Sequence, residues 1–314
     1  MTTVTLNHMV RCLIILSITF CAVSANAQKI DSIKYKNGFL FYHEYGKGET
    51  IILLTGGPGN NCSQLADMAN RLSTNNRVVL FEQRGTGLSI PDPFDSTTVS
   101  LQAAVSDINL LLDQLGLKEA IICGHSWGAT LGMYFASFFP QRVKSLILIA
   151  PSSLLIGEEM YQTVIYNINA KLGRSEKKQI DILNKKTIDG TLTSEESKKY
   201  KYLLRLAYIS DKEKIDSIMP KIEVPRNQEM LRLIFKDIDK SKIDLRTSLT
   251  SFKKPVYIID GRQDFENYVC YEFKILFPSY ELYWIQNSGH FPMFEQPELF
   301  YRVLNNILTK QHLN

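Results

Sequence analysis

The sequence predicts an α/β protein: a mostly parallel sheet covered by helices on both faces, with a helical cap inserted late in the chain. Three observations carry that expectation. Short continuous apolar runs recur with helix-period stretches between them. Strands buried on both faces read that way, and a crossover helix is what returns the chain to a parallel neighbour. Next, Gly124-His125-Ser126-Trp127-Gly128 joins one such run, Ala120-Ile121-Ile122-Cys123, to the small-residue start of a helix, Ala129-Thr130-Leu131-Gly132. Finally, the texture turns helical, Lys-rich and glycine-poor over residues 151–251, and strand character then resumes. The expected division is a core of residues 28–150 and 252–314 and a cap of residues 151–251.

Each element has its own warrant. Arg11 precedes an apolar run over residues 12–23, and Ala25-Asn26-Ala27 offers the small residues that a signal peptidase requires. Residues 1–27 are therefore expected to be a signal peptide cut after Ala27, with the mature protein exported to a periplasm or beyond. The run is short for a membrane span, and no later segment is long and apolar enough for one. Bulky Phe20 before Cys21 argues against lipidation. Of the remaining cysteines, Cys123 falls in a strand and reads as a small buried hydrophobe, while a Cys62–Cys270 bridge stays open.

Strand-like runs flank Lys36-Asn37-Gly38, a hairpin signal. Residues 50–54 form an apolar run ending in Gly56-Gly57-Pro58-Gly59. A helix is expected over 64–72 and a strand over 77–81, closing in Glu82-Gln83-Arg84-Gly85-Thr86-Gly87. Leu101, Ala104, Val105, Ile108, Leu112 and Leu115 keep a helical period that Gly116 ends. A strand follows to Ser126, then a helix to Pro140 and another buried strand over 143–150. In the cap, Tyr200, Leu203, Leu204, Ala207 and Tyr208 mark one amphipathic stripe and residues 227–238 another. Strands over 255–259 and 280–285, with helices over 267–276 and 297–308, complete the core.

The chain has 314 residues, 45% of them hydrophobic, which is ample for one large core with an inserted subdomain. A formal charge of +4, with both signs interspersed, gives no reason to invoke nucleic acid. No His/Cys/Asp clustering points to a metal site, and nothing calls for a cofactor. Oligomeric state leaves no mark on a single sequence.

A serine on a sharp strand-to-helix turn is held in strained backbone angles that lift its hydroxyl clear of the sheet, near N–H groups at a helix start. Such a serine needs a base, and the base needs an orienting acid. Among the histidines, His43 lies in the early hairpin, His125 adjoins the serine on a turn that points it elsewhere, and His312 lies at the C-terminal end. His290, in Ser288-Gly289-His290-Phe291, follows a late strand, where the groups of open α/β sheets gather. Asp264, in Asp260-Gly261-Arg262-Gln263-Asp264, lies past its strand and can reach His290, whereas Asp260 is still close to the strand. The candidate catalytic residues are thus Ser126, Asp264 and His290. The candidate oxyanion donors are the N–H groups of Trp127, directly after the serine, and of Gly57, in a loop where backbone can approach a substrate closely.

These blocks resemble the α/β-hydrolase superfamily and, within it, the prolyl aminopeptidase (proline iminopeptidase) family. Gly56-Gly57-Pro58-Gly59 together with Gln83-Arg84-Gly85-Thr86-Gly87 is the part similar to that family in particular; the serine, aspartate and histidine blocks mark the superfamily. The resemblance implies a Ser126–His290–Asp264 triad, an oxyanion hole at Gly57 and Trp127, and a helical cap shaping the pocket. Thr55 stands where the family carries His, and Glu82 where it carries Asp. An aminopeptidase also binds a free ammonium, for which the family supplies cap glutamates beside tryptophan; this cap has no tryptophan, and its first acids are Glu158 and Glu159.

Three readings follow. One is an exported serine hydrolase that releases an N-terminal residue from short peptides. Another is a carboxylesterase or lactonase with the same machinery and a more apolar pocket. The third is a binding module on an inactive hydrolase fold. A pair of carboxylates converging on the site would separate the first two. Serine at 126 argues against dehalogenase or epoxide hydrolase chemistry, which hydrolyses an ester formed on aspartate.

Overall fold

The computed structural model describes residues 28–154, 157–241, 243–277 and 279–312; the expected signal peptide lies outside them. Eight strands form one sheet in the order β1-β2-β4-β3-β5-β6-β7-β8. The hairpin is β1 (Lys29–Tyr35) and β2 (Gly38–Tyr45), with Tyr35 paired to Gly38 across the turn. β2 runs antiparallel to β4 (Arg77–Phe81). From β4 onward the sheet is parallel through β3 (Thr50–Leu54), β5 (Ala120–His125), β6 (Val143–Ile149), β7 (Val256–Gly261) and β8 (Tyr280–Ile285). Every residue of β3, β5 and β7 is buried, which is why they read as unbroken apolar runs.

Alternation then sorts the side chains to two faces. Ile52, Leu54 and Ile122 pack with α2 (Leu101–Gln114) and α3 (Trp127–Phe138). Ile51, Leu53, Ile121 and Cys123 pack with α1 (Ala66–Leu72) and α12 (Pro297–His312). The parallel order brings the C-terminal ends of β3, β5, β7 and β8 to one edge, where the glycine loop, the Ser126 turn and the Asp264 and His290 loops all emerge.

Between β6 and β7 the described residues form helices and no strand. These are α4 (Glu158–Lys171), α5 (Arg174–Ile188), α6 (Ser194–Arg205), α7 (Ile215–Ile222), α8 (Gln228–Ser241) and α9 (Leu245–Ser248). A capping box starts α6: Thr193 and Glu196 each satisfy the other's backbone N–H. In α8, Met230, Leu233, Ile234 and Ile238 repeat at helical spacing and are all buried. The expected stripe to Tyr208 is cut short, because α6 ends at Arg205 and Ala207 and Tyr208 fall in a turn. The helices expected over 64–72 and 267–276 each begin with a 3₁₀ turn, Cys62–Leu65 and Asn267–Val269, the second leading into α10 (Cys270–Leu276). A short α11 (Pro292–Glu295) precedes α12. Among the described residues no helix is long and apolar enough to cross a membrane. Cys62, Cys123 and Cys270 are buried free thiols, so the bridge left open between Cys62 and Cys270 is not made.

Candidate active site

Ser126 lies between β5 and α3 with φ 54° and ψ −121°, a conformation that costs a non-glycine residue about 1–3 kcal/mol. Close packing around it dictates the flanking glycines. A Cβ on Gly128 would meet the Leu54 carbonyl oxygen at 2.2 Å, and one on Gly124 the Gly128 oxygen at 2.2 Å. The Ser126 N–H is held by the Ile149 carbonyl at 2.9 Å.

The structure brings Ser126, His290 and Asp264 into one hydrogen-bonded chain. His290 Nε2 lies 2.9 Å from Ser126 Oγ, and His290 Nδ1 lies 2.7 Å from Asp264 Oδ2. Burial alone would raise the Asp264 carboxyl, but the His290 ring outweighs it and holds the group below its ordinary value. For His290, burial lowers and Asp264 raises, and Asp264 wins. Asp264 Oδ1 also accepts the Glu266 N–H at 3.1 Å, which fixes the carboxylate plane. Asp260 is fully buried behind it and accepts the Cys270 thiol at 3.1 Å. Burial and the adjacent Asp264 charge push the Asp260 carboxyl, still within β7, far up, opposite in direction to Asp264 in the loop beyond it.

The His290 loop is anchored from both sides. His290 N–H donates to the Tyr208 carbonyl at 2.7 Å, and Glu295 accepts Gly289 N–H and Ser210 N–H, each at 2.7 Å. His125, expected to point away, turns inward: its Nε2–H donates to the His290 carbonyl at 2.9 Å. That bond leaves Nδ1 bare, and burial, then the nearby His290, lower the ring to about 3, so it stays neutral.

The N–H groups of Gly57 and Trp127 find no acceptor among the described residues, and both residues line the cleft over Ser126. Gln83 sets their spacing. Its Nε2 donates to the Thr55 carbonyl at 2.7 Å, while its Oε1 accepts the Trp127 indole N–H at 2.9 Å. Arg84 pins the same loop to α2 through a buried two-pronged pair with Asp107, one prong at 2.8 Å. Glu82 accepts His43 Nε2 at 3.1 Å, the Cys62 thiol at 3.5 Å and the Leu88 N–H at 2.6 Å. Among the described residues His43, Cys62 and Glu82 are the trio whose donor atoms lie within 4.8 Å of one another, close enough to clasp a metal ion. Its ring, thiol and carboxylate satisfy one another as a buried hydrogen-bond hub.

The cleft over Ser126 measures about 210 Å³. Gly57, His125, Trp127, Glu266 and His290 line it from the sheet side, and Met160, Tyr161, Val164, Arg205 and Phe235 from the inserted helices, with Arg226 from the segment between α7 and α8. Glu158 and Glu159 do not line it; they border a separate cleft beside Arg246. The acid that does is Glu266, whose carboxyl accepts the Ser152 hydroxyl at 2.5 Å and is pushed up to about 7 by burial.

A parallel sheet with a strained serine between its central strand and the following helix defines a hydrolase-type α/β scaffold. The chain belongs to the alpha/beta hydrolase fold family, whose model matches residues 49–297. It resembles the prolyl aminopeptidases within that family. A proline iminopeptidase of Heyndrickxia coagulans is 26% identical over 289 residues, covering 89% of this chain and 97% of that one. One from Xylella fastidiosa is 36% identical over 115 residues, 35% of either chain. Among solved structures, a proline iminopeptidase of Mycobacterium smegmatis superposes with a TM-score of 0.70 at 18% identity, covering 91% of this chain and 99% of its own. That last likeness is one of fold.

Proposed function

We propose that the protein is a serine hydrolase acting through an acyl-enzyme, with the specificity of an aminopeptidase on short peptides. The observation that carries the chemistry is the hydrogen-bonded order Ser126–His290–Asp264. In this reading His290 Nε2 takes the Ser126 proton as Oγ attacks the scissile carbonyl. The oxyanion is received by the N–H groups of Gly57 and Trp127. His290 returns the proton to the leaving amine, and a water activated by the same ring clears the acyl-enzyme. Asp264 keeps the ring in the required tautomer and favours its charged form. Residues 1–27 would route the enzyme for export.

The peptide reading is supported by the near full-length similarity to a proline iminopeptidase. Glu266 supports it too, as a buried carboxylate beside His290 that can meet a substrate amine. An esterase is the second reading. Met160, Val164 and Phe235 give the cleft apolar walls, and Glu266 is the one carboxylate among the described residues that line it.

Two measurements decide. A fluorophosphonate probe should label the protein and fail on Ser126→Ala, whose turnover should fall by about 10⁴–10⁶-fold. Labelling that persists in the variant overturns the nucleophile assignment. Prolyl and alanyl p-nitroanilides should be cleaved alongside short p-nitrophenyl esters; activity on the esters alone would replace the peptidase by an esterase.

A further inference from the structure

The rim of the cleft carries charge that the proposed chemistry leaves unused. Residues 225–227, between α7 and α8, pair with the glycine loop. Asn61 N–H donates to the Pro225 carbonyl and Asn227 N–H to the Gly59 carbonyl, each at 2.9 Å, around an antiparallel bridge of Asn60 with Arg226. Arg226 Nε–H then donates to the Pro58 carbonyl at 3.2 Å. Its stem is thereby fixed beside the loop that holds Gly57, while its two terminal amino groups have no acceptor among the described residues. Arg205 lies over the Tyr208 ring at 4.8 Å and gives Nε–H to Glu223 at 2.8 Å. Its terminal amino groups are also unpaired among the described residues.

Both guanidiniums line the cleft that contains Ser126. Burial lowers the Arg226 guanidinium and the neighbouring Arg205 charge lowers it further, so the two cations oppose each other at close quarters. Glu223 pairs with Arg205 and also offsets part of the Arg226 charge, so two cations share one carboxylate, while Glu266, the acid among the described residues of the cleft wall, is turned to the Ser152 hydroxyl. Depth separates the charges. Glu266 is 5% exposed, at the floor beside His290, whereas Arg226 as a residue reaches solvent at the mouth, with its guanidinium partly enclosed by the cleft wall. Arginine forks match a carboxylate with two parallel hydrogen bonds.

We propose that Arg226 and Arg205 form a subsite for a carboxylate on the leaving side of the substrate, so that the preferred substrates are di- and tripeptides with a free C-terminus. The direction of the chain rests on the aminopeptidase reading, with amine inward and carboxylate outward; the subsite itself requires only that Ser126 acts on a substrate with an anionic leaving group.

The test uses matched pairs that differ only in that charge. The peptide pair is Pro-Ala and Pro-Ala-amide. The ester pair is 4-acetoxybenzoate and its methyl ester, which carry the charge on the leaving group. The free acid of each pair should show a KM about tenfold below that of its neutral partner, as one charge-assisted pair supplies. Added salt should narrow the gap. In Arg226→Gln the acid-over-neutral ratio should fall to about one, and in Arg205→Gln part of the way. No preference for the acid in either pair overturns the subsite, with no variant needed. A loss in Arg226→Gln that is equal for acid and neutral partners also overturns it, since that is the mark of a merely structural arginine. Preference for the acid in the ester pair with both peptides untouched keeps the subsite and overturns the aminopeptidase reading instead.

Discussion

Glu266 shows how burial turns an ordinary side chain into a titrating one. Its carboxyl sits at about 7 because the cleft floor disfavours the charge, His290 lowering and Asp264 raising it in turn. Below that value it is neutral, and above it it can hold a substrate amine. KM for a neutral-leaving-group anilide should therefore fall as pH rises through about 7, and Glu266→Gln should abolish that slope and raise KM by about tenfold. In the proposed mechanism the kcat profile belongs to His290, which must be neutral to accept the Ser126 proton. Asp264 holds the ring above its ordinary value, so kcat should rise with pH along a limb displaced upward. A KM indifferent to pH in the parent enzyme would remove Glu266 from amine recognition. At this scale the sequence was partly legible. Ser126, Asp264 and His290 could be placed because chain order and strand ends constrain where such residues go. Glu266 and Arg226 carried no such mark, and Gln83 stood out only as part of a strand-end block without its partners, for each owes its position to contacts remote in sequence: Glu266 to Ser152, Gln83 to Thr55 and Trp127, Arg226 to Pro58. His125 was misplaced for the same reason, since its partner is 165 residues away.

Parallel strands were legible as elements because burial on both faces writes them as unbroken apolar runs, and the hairpin because Asn37-Gly38 is turn chemistry. The seam between the glycine loop and residues 225–227 was not, because an isolated bridge has no period. Gly59 is the tightest point of that seam. It has φ +92°, where a side chain is strained, and a Cβ there would meet the Asn227 carbonyl oxygen at 2.3 Å. Gly59→Ala must part the two strands of chain or distort the loop, at a cost of about 1–3 kcal/mol. Because Gly57 lies two residues away, the loss should fall more on turnover than on folding. We expect kcat for a small neutral ester to drop at least about tenfold, for a fall in Tm of only a few degrees. A full loss of ~3 kcal/mol in stability with kcat intact would mean that the seam holds the fold and not the oxyanion loop.

Across the whole molecule the inserted helices do not stand apart from the sheet. Met230, Leu233, Ile234 and Ile238 of α8 belong to the same apolar cluster as Ile52, Ile122 and α2. Leu172, Leu183, Leu203 and Ile218 join the cluster on the opposite face, with Ile51 and Ile121. Polar ties cross the same boundary: Asp237 of α8 accepts the Leu101 N–H that opens α2, at 2.8 Å, and Asn167 of α4 donates to the Phe265 carbonyl, at 2.8 Å. A change of composition at residue 151 thus marks a change of secondary structure without marking a separate core. Segments that share one core should unfold together. The chain offers a check, since its two tryptophans, Trp127 and Trp284, both lie in the α/β part, while about half of the α-helix that far-UV circular dichroism reports lies in the insertion. Tryptophan emission and ellipticity should trace one coincident denaturant transition. Ile234→Ala, which empties a site shared by insertion and core, should shift both curves equally, by about 2–5 kcal/mol. If ellipticity were lost first while emission held, the insertion would be melting off an intact sheet. The arginine and glutamate positions around the cleft would then depend on a docking equilibrium and not on the fold itself.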